Sequence, residues 1–219
     1  MKYHMTHLQV PSLMVAMNEL SNHDHSRFLT RTNHYVGRVA NLGHRAAEQD
    51  VNVAIMREAV IMQMTWIGAP TLYYGDEAGV CGFTDPDNRR TYPWGHENKS
   101  LIEFHKEAIR IHKESSALKY GSLEFLHGEP EVVAYARFDK DEKMIMVVNN
   151  GHPKQVCIPV WPAEVPMEGT LESLLYTYEE GYDTERREVP VVNGNITIRM
   201  RRNSAVIMRY KIEKDVALS

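Results

Sequence analysis

Cysteine is scarce: the 219 residues hold two, Cys81 and Cys157, far apart and in different kinds of segment. That excludes a disulfide framework and makes a reduced, cytoplasmic setting the default expectation. No long apolar run exists either. The longest, around Trp66 to Tyr74, is broken by Gly68 and Pro70 and falls well short of a membrane span. The opening "MKYHMTHLQV" has no apolar stretch of the signal-peptide kind. Positive charge is not in excess, because 25 Lys and Arg face 29 Asp and Glu for a formal net charge of −4. A nucleic-acid partner is therefore not expected, and neither is a membrane. A glycine-rich phosphate loop with a lysine at a helix start is also missing.

Histidine is the exception, at eleven. His4/His7 and His23/His25 suggest a metal cluster at first sight. Neither pair has the i, i+4 spacing of a helical zinc motif and no paired cysteines accompany them, so neither a metal nor another cofactor is expected. His105 and His112, seven apart on a predicted helix, read as a solvated stripe.

What is present is an ordinary globular composition, 43% hydrophobic and 25% charged. The first half alternates strand-like and helical pieces. Ser12–Leu20, "SLMVAMNEL", reads as a short buried strand. "DVNVAIMREAVIMQMTWIG" reads as a helix of about five turns, capped by Asp50 and stopped by Gly68. Thr71, Leu72, Tyr73 and Tyr74 follow as a strand closed by Gly75. After the loop from Cys81 to Lys99, Ser100-Leu101-Ile102-Glu103 has a capping-box pattern that opens an amphipathic helix. The rhythm of strand, loop, helix predicts a parallel sheet.

Past Ser116 that rhythm stops. "VVAYARF", "KMIMVVNN", "QVCIPV" and "SAVIMRY" are short β-rich runs. Asn193-Gly194 predicts a type I′ hairpin turn, with Ile196, Ile198 and Met200 on the inward face. These runs predict a separate antiparallel sandwich of about 100 residues.

Chemistry concentrates in three motifs. Asn22-His23-Asp24, followed by Arg27, comes after the first predicted strand, and Gly75-Asp76-Glu77 comes after the second. The loop "FTDPDNRRTYPW" follows. In a parallel α/β barrel reactive groups stand at the C-terminal ends of strands, where these motifs fall. Carboxylates, histidine, arginine and aromatics on one rim suit an uncharged polyol such as a sugar. Taken singly each motif has a plainer reading: Asp24 or Ser26 as a cap for the next helix, "GDEAG" as an ordinary strand end, and "DPDNRR" as a turn.

Together, "NHDHSRF", "GAPTLYYGDEAG" and "DPDNRRTYPW" resemble the α-amylase family of glycoside hydrolases, in particular its neopullulanase and cyclomaltodextrinase-like branch. The resemblance runs over essentially the whole chain. It implies an α/β plus all-β fold: the seventh and eighth βα units of a (β/α)8 TIM barrel in residues 1–116, then the family's C-terminal β-sandwich in residues 117–219. It implies that Asp24 is the third family carboxylate, which stabilises an oxocarbenium-like transition state, and that His23 bonds the same sugar. Asp85 and Arg89 would hold the next sugar on the non-reducing side, and an α-glucan oligosaccharide would be the substrate. Asp76 and Glu77 become a structural strand-end pair.

One departure matters. A retaining glycosidase needs a nucleophile and an acid/base about 5–5.5 Å apart. The family carries these after barrel strands four and five, and nothing here corresponds to either segment or to the calcium-linked region of many relatives. "EEGYDTERREV" lies among sandwich turns and is no substitute. The chain is therefore expected to be inactive alone, as the C-terminal part of an α-glucan hydrolase, with unpaired barrel edges that favour self-association. Its rival is a non-catalytic carbohydrate-binding or accessory protein; a histidine-based metalloprotein ranks behind both.

Overall fold

The computed structural model describes residues 5–211. His4 lies outside the described residues, as does the tail after Lys211. The first half contains α1 (Val10–Met14), β1 (Met17–Glu19), α2 (Phe28–Arg31), α3 (Val39–Leu42), α4 (Val53–Thr65), β2 (Ala69–Thr71), α5 (Lys99–Glu114) and α6 (Ser116–Tyr120). β1 and β2 pair in parallel, with Asn18 opposite Pro70, as the strand-and-helix rhythm predicts.

Several local expectations are corrected. Ser12–Leu20 is not one buried strand. Pro11, whose fixed φ suits a first helical turn, sits at the start of α1, and only Met17–Glu19 is extended, with Met17 exposed. Asp50 does not cap α4, because its carboxylate accepts the Tyr35 hydroxyl at 2.6 Å. Asn52 does, taking the Ala54 and Ile55 amides on Oδ1 at 2.9 and 3.2 Å. The helix is 13 residues long and ends where Trp66 turns extended, before Gly68. α5 is likewise capped by Asn98, whose Oδ1 accepts the Leu101 amide at 3.0 Å, so Ser100 lies within the first turn.

The histidine stripe on α5 is not solvated. His105 is 2% exposed, with Nδ1 bonded to the Leu101 carbonyl, and burial lowers its pKa. His112 bonds the Met64 carbonyl at 2.7 Å. That carbonyl lies in the last turn of α4, where no intrahelical amide can reach it.

Nine strands build the second half: β3 (Ser122–Glu129), β4 (Val132–Phe138), β5 (Glu142–Asn149), β6 (Lys154–Pro159), β7 (Gly169–Tyr178), β8 (Gly181–Asp183), β9 (Glu188–Val192), β10 (Asn195–Met200) and β11 (Ser204–Lys211). They run antiparallel in the order β3-β4-β5-β11-β7-β9-β10-β6, with β8 beside β7, and the path curls until β3 meets β6. The result is a nearly closed antiparallel barrel or sandwich. The β9–β10 turn is type I′ as predicted, with φ of 50° at Asn193 and 71° at Gly194.

Alternation along the central strands sorts side chains into two cores. Ala134, Ile145, Val147, Val206 and Met208 fill the curled interior. Tyr135, Met144, Met146 and Ile207 face outward and join Met56, Val60, Met64 and Phe104 of α4 and α5 in a second cluster. Polar contacts reinforce that seam. Buried Arg57 donates to the Thr177 hydroxyl and the Tyr178 carbonyl, and buried Arg137 donates to the Thr65 carbonyl.

Candidate functional site

The C-terminal ends of β1 and β2 lie side by side, so the loops that leave them must share one rim. Two buried polar side chains, Arg27 and Asn88, and the half-buried Asp87 fix how they share it.

Arg27, with no exposed surface, is the hub. Its Nε donates to the Asn88 carbonyl at 2.8 Å and its Nη1 to the Asp76 carboxylate at 3.0 Å and to the Tyr74 carbonyl. The guanidinium also lies over the Tyr73 and Tyr74 rings, 4.0 and 4.8 Å from their centroids. A buried cation needs this many partners, and obtaining them draws three loops together. This also accounts for the short β2: Tyr73 and Tyr74, expected in the strand, leave the sheet to bracket Arg27. Burial pushes the Asp76 carboxyl above the usual carboxylate range, against the pull of the Ser21 hydroxyl and Arg27.

Asn88 is the second tie. Its Nδ2 donates to the Asn22 and His25 carbonyls at 3.1 and 2.8 Å, fastening the Asp85–Arg90 loop to the motif after β1. Gly82 permits the close approach: a Cβ there would meet the Asp87 carbonyl oxygen at 2.5 Å. The third tie is Asp87, which accepts the Phe83 amide at 2.7 Å and pairs with Arg90.

On this frame the four sequence-predicted residues face outward. The Asn22 side chain accepts the Asp24 and His25 amides at 2.9 and 3.1 Å, a local turn that presents Asp24 to solvent. Asp24 therefore does not cap the next helix. Its carboxylate is 69% exposed and 3.5 Å from His23 Nε2. Asp85 and Arg89 form an ion pair one turn apart. That pairing raises the Arg89 pKa, and Asp24 contributes to the same field. Asp24, Asp85 and Arg89 thus share one electrostatic neighbourhood. Tyr92 and Trp94 follow, their rings 4.5 Å apart. Among the described residues no cluster of three or more His, Cys, Asp or Glu side chains could hold a metal ion, and no helix is long and apolar enough to cross a membrane.

The chain as a whole has parallels among known proteins. No family model matches the chain. It is 38% identical over 186 residues to an amylopullulanase of Thermoanaerobacter thermohydrosulfuricus, a match covering 78% of this chain and 12% of that protein. It is 38% identical over 144 residues to a cyclomaltodextrinase of Thermoanaerobacter pseudethanolicus, covering 65% and 22% respectively. These relatives match the α-amylase family. At the level of fold, it matches the crystal structure of an Anoxybacillus α-amylase with a TM-score of 0.75 at 22% identity, over 98% of this chain and 42% of that one. The chain therefore spans a minor part of the relatives it matches.

Arg27 and Asn88 were not legible as anchors in the sequence. An arginine three residues beyond an Asn-His-Asp motif gives no sign of burial, and Asn88 sits among residues that read as a turn. The one available hint is the pair of adjacent tyrosines, Tyr73-Tyr74, before Gly75-Asp76: two flat faces beside an acid suit a guanidinium.

Proposed function

We propose that this chain is the C-terminal part of a retaining α-glucan hydrolase, contributing part of the catalytic rim. On this reading residues 1–116 carry the seventh and eighth βα units of a (β/α)8 barrel and residues 117–219 the C-terminal sandwich. The substrate class is maltodextrins and related oligosaccharides with α-1,4 or α-1,6 links. Asp24 stabilises the oxocarbenium-like transition state, His23 bonds the same sugar, and Asp85 with Arg89 holds the adjacent ring.

The observation that carries this reading is the convergence of two loops, far apart in sequence, at the ends of two parallel strands, under the tie of Arg27 and Asn88. The chemistry fits the task. Asp24 offers an exposed carboxylate to a developing cation. Hydrogen bonds to ring hydroxyls that strengthen as that charge grows supply several kcal/mol. The nucleophile and the acid/base have no counterpart here, so the chain alone does not turn over substrate.

Two assays test this. The isolated chain should show no hydrolysis of maltotriose; turnover that disappears in Asp24→Asn would overturn the claim of inactivity. Saturable maltotriose binding by the isolated chain would favour an accessory sugar-binding role instead. The sugar-holding role of the ion pair is read in a chimera that joins the preceding part of the Thermoanaerobacter pseudethanolicus cyclomaltodextrinase to this chain. There Arg89→Ala should raise KM for maltotriose by roughly tenfold, the worth of one charge-assisted hydrogen bond. An unchanged KM would remove Arg89 from the site.

A further inference from the structure

A cavity of about 340 Å³ lies at the seam between α4 and the sandwich, lined by side chains from both. Phe28, Ile55, Met62, Val133 and Val148 make its walls apolar, and Glu58, Glu129 and Glu131 line it as well. None of the residues assigned to sugar takes part. Glu58 is the anomaly. It is 3% exposed, and its Oε1 meets neither solvent nor a hydrogen-bond partner. Arg57, its neighbour in α4, is committed to the Thr177 hydroxyl and to the Tyr178 and Glu179 carbonyls. A buried carboxyl without a partner costs stability, and a methionine or leucine would pack the same wall without that cost. Glu129 and Glu131 share one lysine: Lys154 Nζ is 3.4 Å from Glu129 and 3.8 Å from Glu131, with His127 3.7 Å from Glu129. The cavity is short of positive charge.

We propose that this cavity binds a small aliphatic ammonium ion, with its nitrogen bonded to the Glu58 carboxylate and its hydrocarbon against Phe28, Ile55 and Met62. The volume suits a small ligand, since such pockets run from roughly 300 to 1,000 Å³. The lining selects among ligand classes. A divalent metal ion needs several ligands around one point, and among the described residues no three His, Cys, Asp or Glu side chains converge in that way. A sugar would press most of its hydroxyls against hydrocarbon, which leaves them unsatisfied. An anion would meet three carboxyl groups. An ammonium on a short alkyl chain answers both kinds of wall. Its N–H groups supply the donor that Glu58 lacks, and a charge-assisted bond in apolar surroundings is stronger than one on the surface. The proposal goes beyond the glycosidase reading and does not depend on the role of Asp24.

The test is titration calorimetry of the intact chain at neutral pH with n-butylamine, using n-butanol and butyrate as neutral and anionic probes of the same length. n-Butylamine should bind saturably and one-to-one, at least about tenfold more tightly than either of the others. Glu58→Gln keeps the volume and removes the charge. It should weaken n-butylamine at least about tenfold while the chain keeps a cooperative melt. Ala59→Leu, at a half-buried position that also lines the cavity, should weaken binding as much by filling the space, with Glu58 still in place. No saturable heat, n-butanol bound as tightly as n-butylamine, or parent affinity in Glu58→Gln would each overturn the proposal. Should Glu58→Gln melt without cooperativity, Ala59→Leu decides, and parent affinity there counts equally against the site.

Discussion

Arg27 shows how a single buried charge can organise a rim. Its guanidinium answers carbonyls from two loops and a carboxylate from one of them, so replacing it strands Asp76 and two carbonyl groups at once. Arg27→Met should cost about 3–5 kcal/mol in urea unfolding, the range for removing one partner of a buried ion pair. A loss below about 1 kcal/mol would mean that the loops hold together without it. Glu58 is the opposite case. It is 3% exposed, with one carboxylate oxygen unpartnered, and burial raises its pKa to about 8, opposed by Arg57. In the unfolded chain the group titrates near 4.5, so the folded state alone holds the proton between 4.5 and about 8. The stability it contributes is present at low pH and is lost as pH rises through 8. Glu58→Gln should therefore gain on the order of 2 kcal/mol over the parent at pH 9 and little at pH 4. Equal gains at both pH values would contradict the assignment.

At the scale of elements, the termini are set by side chains that compete for the same backbone groups. Asn52 holds the amides at the start of α4, and Asn52→Ala should cost about 1 kcal/mol. In the β9–β10 turn Gly194 has φ of 71°, and an added Cβ would meet the Met167 sulfur at 2.9 Å. Gly194→Val should cost about 1–3 kcal/mol in thermal unfolding, while Asn193→Gly is nearly neutral. That hairpin was legible because Asn-Gly admits few other conformations. The parallel pairing of β1 with β2 was legible from the alternation of strand and helix. The start of α4 was not, because Asp50 is as good a cap in isolation as Asn52. What removes it is the Tyr35 hydroxyl, fifteen residues away, and no local pattern reports that contact. The α5 histidines failed for the same reason. Seven-residue spacing puts them on one face, but only the packing of α4 decides whether that face is wet.

At the scale of the molecule, the two halves share a core. Tyr135, Met144, Met146 and Ile207 of the sheet pack with Met56, Val60 and Met64 of α4, and Trp66 meets the Phe125 and Tyr135 rings edge-on at 5.4 and 4.9 Å. The composition shift near Ser116 marks a change of secondary structure but does not separate the hydrophobic contacts. The motif positions were legible because strand ends carry chemistry in parallel α/β folds. The loop ties were not, because they join residues some sixty positions apart, as Asn88 does with Asn22 and His25. The central claim is that the exposed carboxylate held on this frame stabilises a glycosyl transition state. The most direct test is kcat for maltotriose in the chimera with the preceding cyclomaltodextrinase segment, compared with its Asp24→Asn variant. A fall of about 10²–10³-fold, with binding largely kept, is the predicted result. An Asp24→Asn chimera that hydrolyses maltotriose at the parent rate would contradict it.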